Sequence, residues 1–302
     1  MGKTDVPTTI AEKIHYMETF LDLDRYIKGD KNSREEIVSY YKTNHSAYRR
    51  VHSKAGFMHF HVSKNGEFSP EDACYQPDVA ARYIRPGDRV LELGSGQGAN
   101  AVYLASKFPG ATFIGLDLFP AKREDTLANL TIRRQDYSTM PDFEDESFDV
   151  IYGIETLVHH THKEPVLREI RRVLKPDGVF VVFDYALSRR LETFSPERQT
   201  TVALISKGGN AAMIESVEEW ETHFADAGFR ITETDDLTKE IMPDLKRLQH
   251  KAGHIMDHKF RARVIFRMMP KQYVTNILLG WLGYDSAAEG VNVYKEWILK
   301  KE

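Results

Sequence analysis

One segment constrains the fold more than any other: Val90-Leu91-Glu92-Leu93-Gly94-Ser95-Gly96-Gln97-Gly98. An apolar strand pattern runs through a carboxylate into glycines at alternate positions, and a helical pattern follows at once. Glycine permits the sharp turn and lets a ligand approach the backbone. A strand, a glycine turn and a helix in that order open the ligand site of a Rossmann-like sheet.

Two details select the ligand. The spacing is G-x-G-x-G, not the dinucleotide G-x-G-x-x-G. Glu92, two residues ahead of the first glycine, would repel a pyrophosphate and attract the cationic amino group of a methionine moiety. The ligand that matches both is S-adenosylmethionine (SAM), and the chain reads as a methyltransferase. The same two details argue against a nicotinamide-dependent oxidoreductase.

The flanking chain supports a parallel sheet. Strand patterns at 89–93, 112–116, 130–134, 148–152 and 179–185 alternate with helical patterns at 100–107 and 163–174. A helix at 78–84 precedes the first strand; a helix at 216–227 and a strand at 229–233 follow the fifth. Residues 239–269 read as helical, and 290–299 as a final strand. The N-terminal part carries helical patterns at 12–27 and 35–48. The expected fold is α/β: a Rossmann-like class I methyltransferase, doubly wound and mostly parallel. The expected division is an N-terminal helical lid segment (1–77), a SAM-binding core (78–236), and a helical cap with the final strand (237–302), all in one structural unit.

The strand ends carry a series of polar residues. Asp117, followed by Leu118, ends the second strand, where a carboxylate can accept both ribose hydroxyls. Asp136-Tyr137 ends the third, where an aspartate can take the adenine amino group and an aromatic ring can cover the base. With Glu92, Gly94, Ser95, Gly96 and Gly98 these form the expected cofactor site. The fourth strand runs into Glu155-Thr156-Leu157-Val158-His159-His160, on the sheet edge where such folds bind ligands. Glu155 and His159 are candidates for substrate contact or proton handling, and Glu155 also for the cofactor site; a loop-holding or capping role for Glu155 is equally open.

Here the sequence resembles the sterol 24-C-methyltransferase family. The family shows I-E-A-T-x-H-A, then E-I-x-R-V-L-K-P-G, then an apolar strand ending in Y-E-W. This chain has Ile154-Glu155-Thr156, then Glu169-Ile170-Arg171-Arg172-Val173-Leu174-Lys175-Pro176, then Phe183-Asp184-Tyr185. Gln135-Asp136-Tyr137-Ser138-Thr139-Met140-Pro141 is similar to the family's G-D-F-x-x-M-P, and Tyr40-Tyr41 with His59-Phe60 to its Y-Y and S-F-H-F elements. The likeness runs in order over roughly residues 36–235. The chain departs where the family has L-D-x-G-C-G-x-G-G, lacks the tryptophan usual near Phe57, and has Tyr185 where the family has tryptophan.

The resemblance implies methyl transfer to a lipophilic acceptor, a carbon of a sterol or isoprenoid. Attack by an alkene carbon would create a carbocation, which the aromatic faces of Tyr40, Tyr41, Phe60 and Tyr185 can stabilise. Glu155 or a nearby histidine would remove the proton, and Tyr41 joins them as a catalytic candidate. Tyr40, His59, Phe60 and Tyr185 are expected in the acceptor pocket. O- or N-methylation of another small metabolite is the alternative, and a SAM-binding protein without turnover is the third.

Composition closes other classes. Net charge is −4, so nothing points to nucleic acid. One cysteine, Cys74, excludes an internal disulfide framework and fits a reducing compartment. The N-terminus lacks the apolar core of a signal peptide, and no segment reaches membrane-spanning length. The expectation is a cytoplasmic protein for which a lipophilic acceptor would be compatible with peripheral membrane contact. Histidines gather at His45, His52, His59 and His61 and at His159, His160 and His162, but without H-E-x-x-H or an acidic cluster, and no metal is expected. The apolar run 277–282 is either a core helix or the lip of a lipophilic pocket, with Phe266, Met268 and Met269 just upstream.

Overall fold

The computed structural model describes residues 7–28, 56–120, 127–212 and 214–302. The expected helix at 35–48, with Tyr40, Tyr41, His45 and His52, lies outside the described residues.

Seven strands form one sheet: β1 (Arg89–Leu93), β2 (Thr112–Asp117), β3 (Leu130–Arg134), β4 (Phe148–Ile154), β5 (Leu174–Leu187), β6 (Phe229–Asp236) and β7 (Asn292–Lys301). Their order is β3-β2-β1-β4-β5-β7-β6. Neighbours from β3 through to β5 pair parallel, and β7 is antiparallel to both β5 and β6. The strand order reverses between β1 and β4, which places a crevice at the carboxyl ends of those strands.

Side chains alternate between faces along each strand, and both faces are covered. Leu91, Leu93, Ile114, Leu116, Ile151, Phe180 and Val182 belong to one core. Val90, Phe113, Val150, Tyr152, Val181 and Phe183 belong to the other. The first is covered by α5 (Lys163–Val173), whose Val166, Leu167, Ile170 and Val173 recur at helical spacing. Trp220 and Phe224 of α7 (Val217–Asp226) extend it, and Ser216 with Glu219 closes a capping box at that helix's start. The second is covered by α3 (Tyr75–Ala81) and α4 (Ala99–Lys107), through Val79, Ala80, Leu104 and Ala105.

The remaining helices build a cap. They are α1 (Ile10–Glu18), α2 (Asp24–Ile27), α6 (Pro196–Gly208), α8 (Thr238–Met256), α9 (Lys259–Met268) and α10 (Lys271–Ala288). α10 packs on both α6 and α8, and α1 packs on α6 and α10. A buried ion pair ties α1 down: the Lys13 ammonium meets Asp285 and donates to the Trp281 carbonyl at 2.8 Å. Gln249 donates to the same Asp285 oxygen at 2.7 Å.

The elements differ from the sequence reading in instructive ways. The 12–27 pattern is two helices, α1 and α2, separated by a short turn. The 239–269 stretch breaks after Met256, so α9 is a separate helix. Helix α6 has no counterpart in the sequence pattern; it buries Thr201, Ser206 and Gly208 as well as Val202, Leu204 and Ile205, so no apolar stripe marks it.

Candidate active site

A cavity of about 830 Å³ opens at the carboxyl ends of the strands, toward the top of the roughly 300–1,000 Å³ usual for small-molecule sites. One part of its wall comes from the strand ends: Gly94, Ser95, Gly96, Asp117, Leu118, Asp136, Tyr137, Glu155 and His159. The other part comes from the cap and includes Ile205 of α6, Leu245 and Leu248 of α8, and Ile277 and Leu279 of α10. His59, Phe60 and Tyr185 also line it.

The glycine loop is built for close packing. Gly94 has φ +66°, and a Cβ there would lie 2.1 Å from Thr156 Oγ1. The loop after β1 therefore rests on the loop after β4, a contact that no local sequence pattern marks. Gly98 has φ +73° and precedes α4 as its N-terminal cap, so it serves the turn and does not line the cavity. Asp117 fixes the same loop: one carboxylate oxygen accepts the Gly96 N–H at 2.8 Å and the other the Phe119 N–H at 2.6 Å. Burial raises its pKa, against those two N–H bonds, which lower it. Ser95 Oγ is buried on the cavity wall and has no hydrogen-bond partner among the described residues.

Glu92 corrects the sequence argument. It is buried and absent from the cavity lining. Burial pushes its pKa up to about 8, with Asn100 and Tyr152 lowering it in part. In place of a charged carboxylate at the wall, the structure has a carboxyl behind it, where burial favours the protonated form, because its strand position points into the core. Its Oε2 has no hydrogen-bond partner among the described residues.

Glu155 holds a strained place. Its φ of +51° is unusual for a residue with a side chain. The strand-end bond from its N–H to the Phe183 carbonyl, 2.7 Å, helps to fix it there. Its Oε1 accepts from the Phe60 N–H at 2.7 Å and the Tyr294 hydroxyl at 3.0 Å. Burial dominates and raises its pKa to about 8. Tyr294 lies on β7, far along the chain, and sequence spacing could not have found it. Nearby, Asp184 accepts the Val158 N–H at 3.0 Å, and burial raises its pKa to about 7.

The histidines are mostly structural in their contacts. His159 is buried, Nδ1 lies 3.0 Å from the Asn210 carbonyl, and burial lowers its pKa. His59 Nε2 lies 3.1 Å from Asn100 Oδ1, with burial again lowering its pKa. His61 pairs with Asp244 at 3.0 Å and ties the 57–62 segment to α8. Burial holds His160 at a pKa of about 4, with its ring edge-on to Tyr137 at 4.9 Å. Among the described residues no group of three or more His, Cys, Asp or Glu is arranged to hold a metal ion. Tyr137 is committed as well, its hydroxyl donating to the Thr156 carbonyl at 2.9 Å.

Comparison with known proteins agrees with this architecture. Residues 91–182 match the family model of a methyltransferase domain. The chain is 32% identical over 247 residues to a sterol 24-C-methyltransferase of Schizosaccharomyces pombe, covering 78% of this chain and 63% of that protein. It spans 52% to 63% of the length of the first three curated relatives. Among solved structures, the cyclopropane synthase MmaA2 from Mycobacterium tuberculosis superposes with a TM-score of 0.69 at 18% identity, over 90% of this chain and 100% of that one. Geranyl diphosphate C-methyltransferase from Streptomyces coelicolor does so with a TM-score of 0.60 at 15% identity, over 87% of this chain and 98% of that one. The chain thus carries a methyltransferase domain on the Rossmann-like class I fold, and its sequence is similar to sterol 24-C-methyltransferases.

Proposed function

We propose that this chain is a SAM-dependent methyltransferase acting on a carbon of a lipophilic small molecule, of the sterol or isoprenoid class. One observation carries the reading: a cavity lined at the strand ends by polar and backbone groups continues between the apolar helices of the cap. The names of similar proteins, a sterol 24-C-methyltransferase and a geranyl diphosphate C-methyltransferase, support the acceptor class.

In this reading the Gly94–Gly96 backbone and Ser95 Oγ meet the methionine part of SAM. Asp117 meets the ribose, with Leu118, Asp136 and Tyr137 around the adenine. The unpartnered Ser95 hydroxyl and the acidic side chains of Asp117 and Asp136 at the strand ends fit that ligand. SAM, when bound, supplies a methyl group already electrophilic on its sulfonium centre. The apolar wall then has to hold the acceptor in line and exclude water. Phe60 and Tyr185 offer aromatic faces to a developing cation. Glu155 takes the released proton on Oε2, since Oε1 is held by Phe60 and Tyr294. A pKa of about 8 makes uptake and release accessible near neutral pH. His159 is the second proton-handling candidate. The helices α1, α2, α6, α8, α9 and α10 act as a lid on the core, whereas β7, at the end of the expected 237–302 cap, belongs to the sheet.

Peripheral membrane contact belongs to this reading, because the acceptor partitions into lipid. No helix among the described residues is long and apolar enough to cross a membrane. The test is transfer from methyl-labelled SAM to a panel of sterols and isoprenoids beside a panel of amines and polar hydroxyl compounds. Label in the lipid products supports the reading; label confined to the polar panel overturns the acceptor class in favour of O- or N-methylation.

A further inference from the structure

The link between two cavity-lining helices is itself unusual. Among the described residues the exposed large hydrophobics are Phe260, Val264 and Met268, at 82%, 43% and 81% exposure, and all three lie on α9. They stand at i, i+4 and i+8, a stripe about 80° wide at ~100° per residue. The opposite side of the helix, Ala262 and Phe266, is buried against the cap. Helical geometry places Arg263 and Arg267 along one flank of the stripe and Arg261 along the other, where it donates to the His254 carbonyl at 2.6 Å; Lys259 and Lys271 turn to the cap, over the Tyr16 ring and onto the Lys28 carbonyl. Residues 258–271 contain no Asp or Glu, in a chain whose net charge is −4.

The helix also adjoins the cavity. Ile255 near the end of α8, Met269 just after α9 and Tyr273 in the first turn of α10 all line it. An exposed apolar stripe edged only by cations matches an anionic lipid surface, with acyl chains for Phe260 and Met268 and headgroup charge for the arginines. A protein partner would require shape; this stripe offers only a narrow apolar edge and one sign of charge.

We propose that α9 is an interfacial helix that docks this chain on a membrane containing anionic lipid and sets the apolar end of the cavity against the bilayer. The docking stands on the helix alone. Its use, direct loading of a lipophilic acceptor, rests on the function proposed above.

The test is flotation of the full chain with vesicles of phosphatidylcholine, alone or mixed with phosphatidylserine. Binding about tenfold tighter to the mixed vesicles, weakened by salt, is expected. Phe260→Asp with Met268→Asp should reduce it about tenfold or more while binding of S-adenosylhomocysteine is unchanged. Arg263→Gln with Arg267→Gln should remove the preference for phosphatidylserine, which gives a second readout if the first pair misfolds. Equal binding to both vesicles, no binding to either, or undiminished binding by both variants overturns the proposal. So does a loss of self-association, in place of vesicle binding, in the Asp variant. A chain that floats normally but transfers no methyl group leaves the docking intact and refutes the proposed function instead.

Discussion

The two parts of the cavity wall are held by different forces, and they were legible to different degrees. At the strand ends, polar groups are fixed by short backbone bonds: Asp117 to the Gly96 and Phe119 N–H groups, Asp184 to Val158, Glu155 to Phe60. In the cap, mainly apolar side chains of α6, α8 and α10, with Lys251, Tyr273 and Asn276 among them, leave space between packed helices. The strand ends demand particular residues at particular positions. The cap demands volume and apolarity, which many sequences satisfy. Such a scaffold can keep one cofactor while its acceptor changes.

That contrast can be broken experimentally, and the largest effect should fall on Glu155. Glu155→Gln is expected to lower turnover about 100-fold or more while S-adenosylhomocysteine binds as in wild type. The carboxyl must be ionised to act as a base, so wild-type kcat/KM should rise with pH through about 8, and the variant should lack that limb. Wild-type turnover in the variant would return Glu155 to a loop-holding role.

Next, Asp117→Ala removes the acceptor of two loop N–H groups and the expected ribose contact. Lost hydrogen bonds to a charged group, about 1.5–3 kcal/mol, correspond to about 10- to 150-fold weaker SAM binding. Calorimetry showing unchanged affinity would sink the ribose assignment.

The smallest effect concerns stability. Glu92 has a folded pKa of about 8 against a usual 4.5. Between those values the folded chain keeps a proton the unfolded chain has released, so stability falls as pH rises through that window. Glu92→Gln should therefore melt several °C above wild type near pH 8, and the gap should close near pH 4. An identical melting difference at both pH values would contradict the buried, protonated state.

Local signals in the sequence mark the strands and the polar residues at their ends. The strand β1, its glycine turn and the carboxylates at 117 and 136 follow from short-range pattern, and the structure places Gly94, Gly96, Asp117 and Asp136 on one wall. They misplace Glu92 by a layer, since strand alternation decides whether a residue faces cavity or core and a motif alone does not. Long-range contacts were out of reach: Tyr294 reaches Glu155, and Thr156 sits against Gly94, from different strands. Nor could pattern place β7 between β5 and β6. The run 277–282 shows why the cap resists reading. Leu278, Trp281 and Leu282 are core, whereas Ile277, Leu279 and Gly280 line the cavity, so the two expected roles share one helix.

In the proposed function, cofactor and acceptor occupy separable parts of one cavity. The most direct measurement is made on Ile277→Trp, which fills the cap part and leaves the strand ends untouched. S-adenosylhomocysteine affinity should stay within about twofold of wild type, while methyl transfer to the lipophilic acceptor falls about tenfold or more. Equal loss of both, or full transfer with the tryptophan in place, would contradict it.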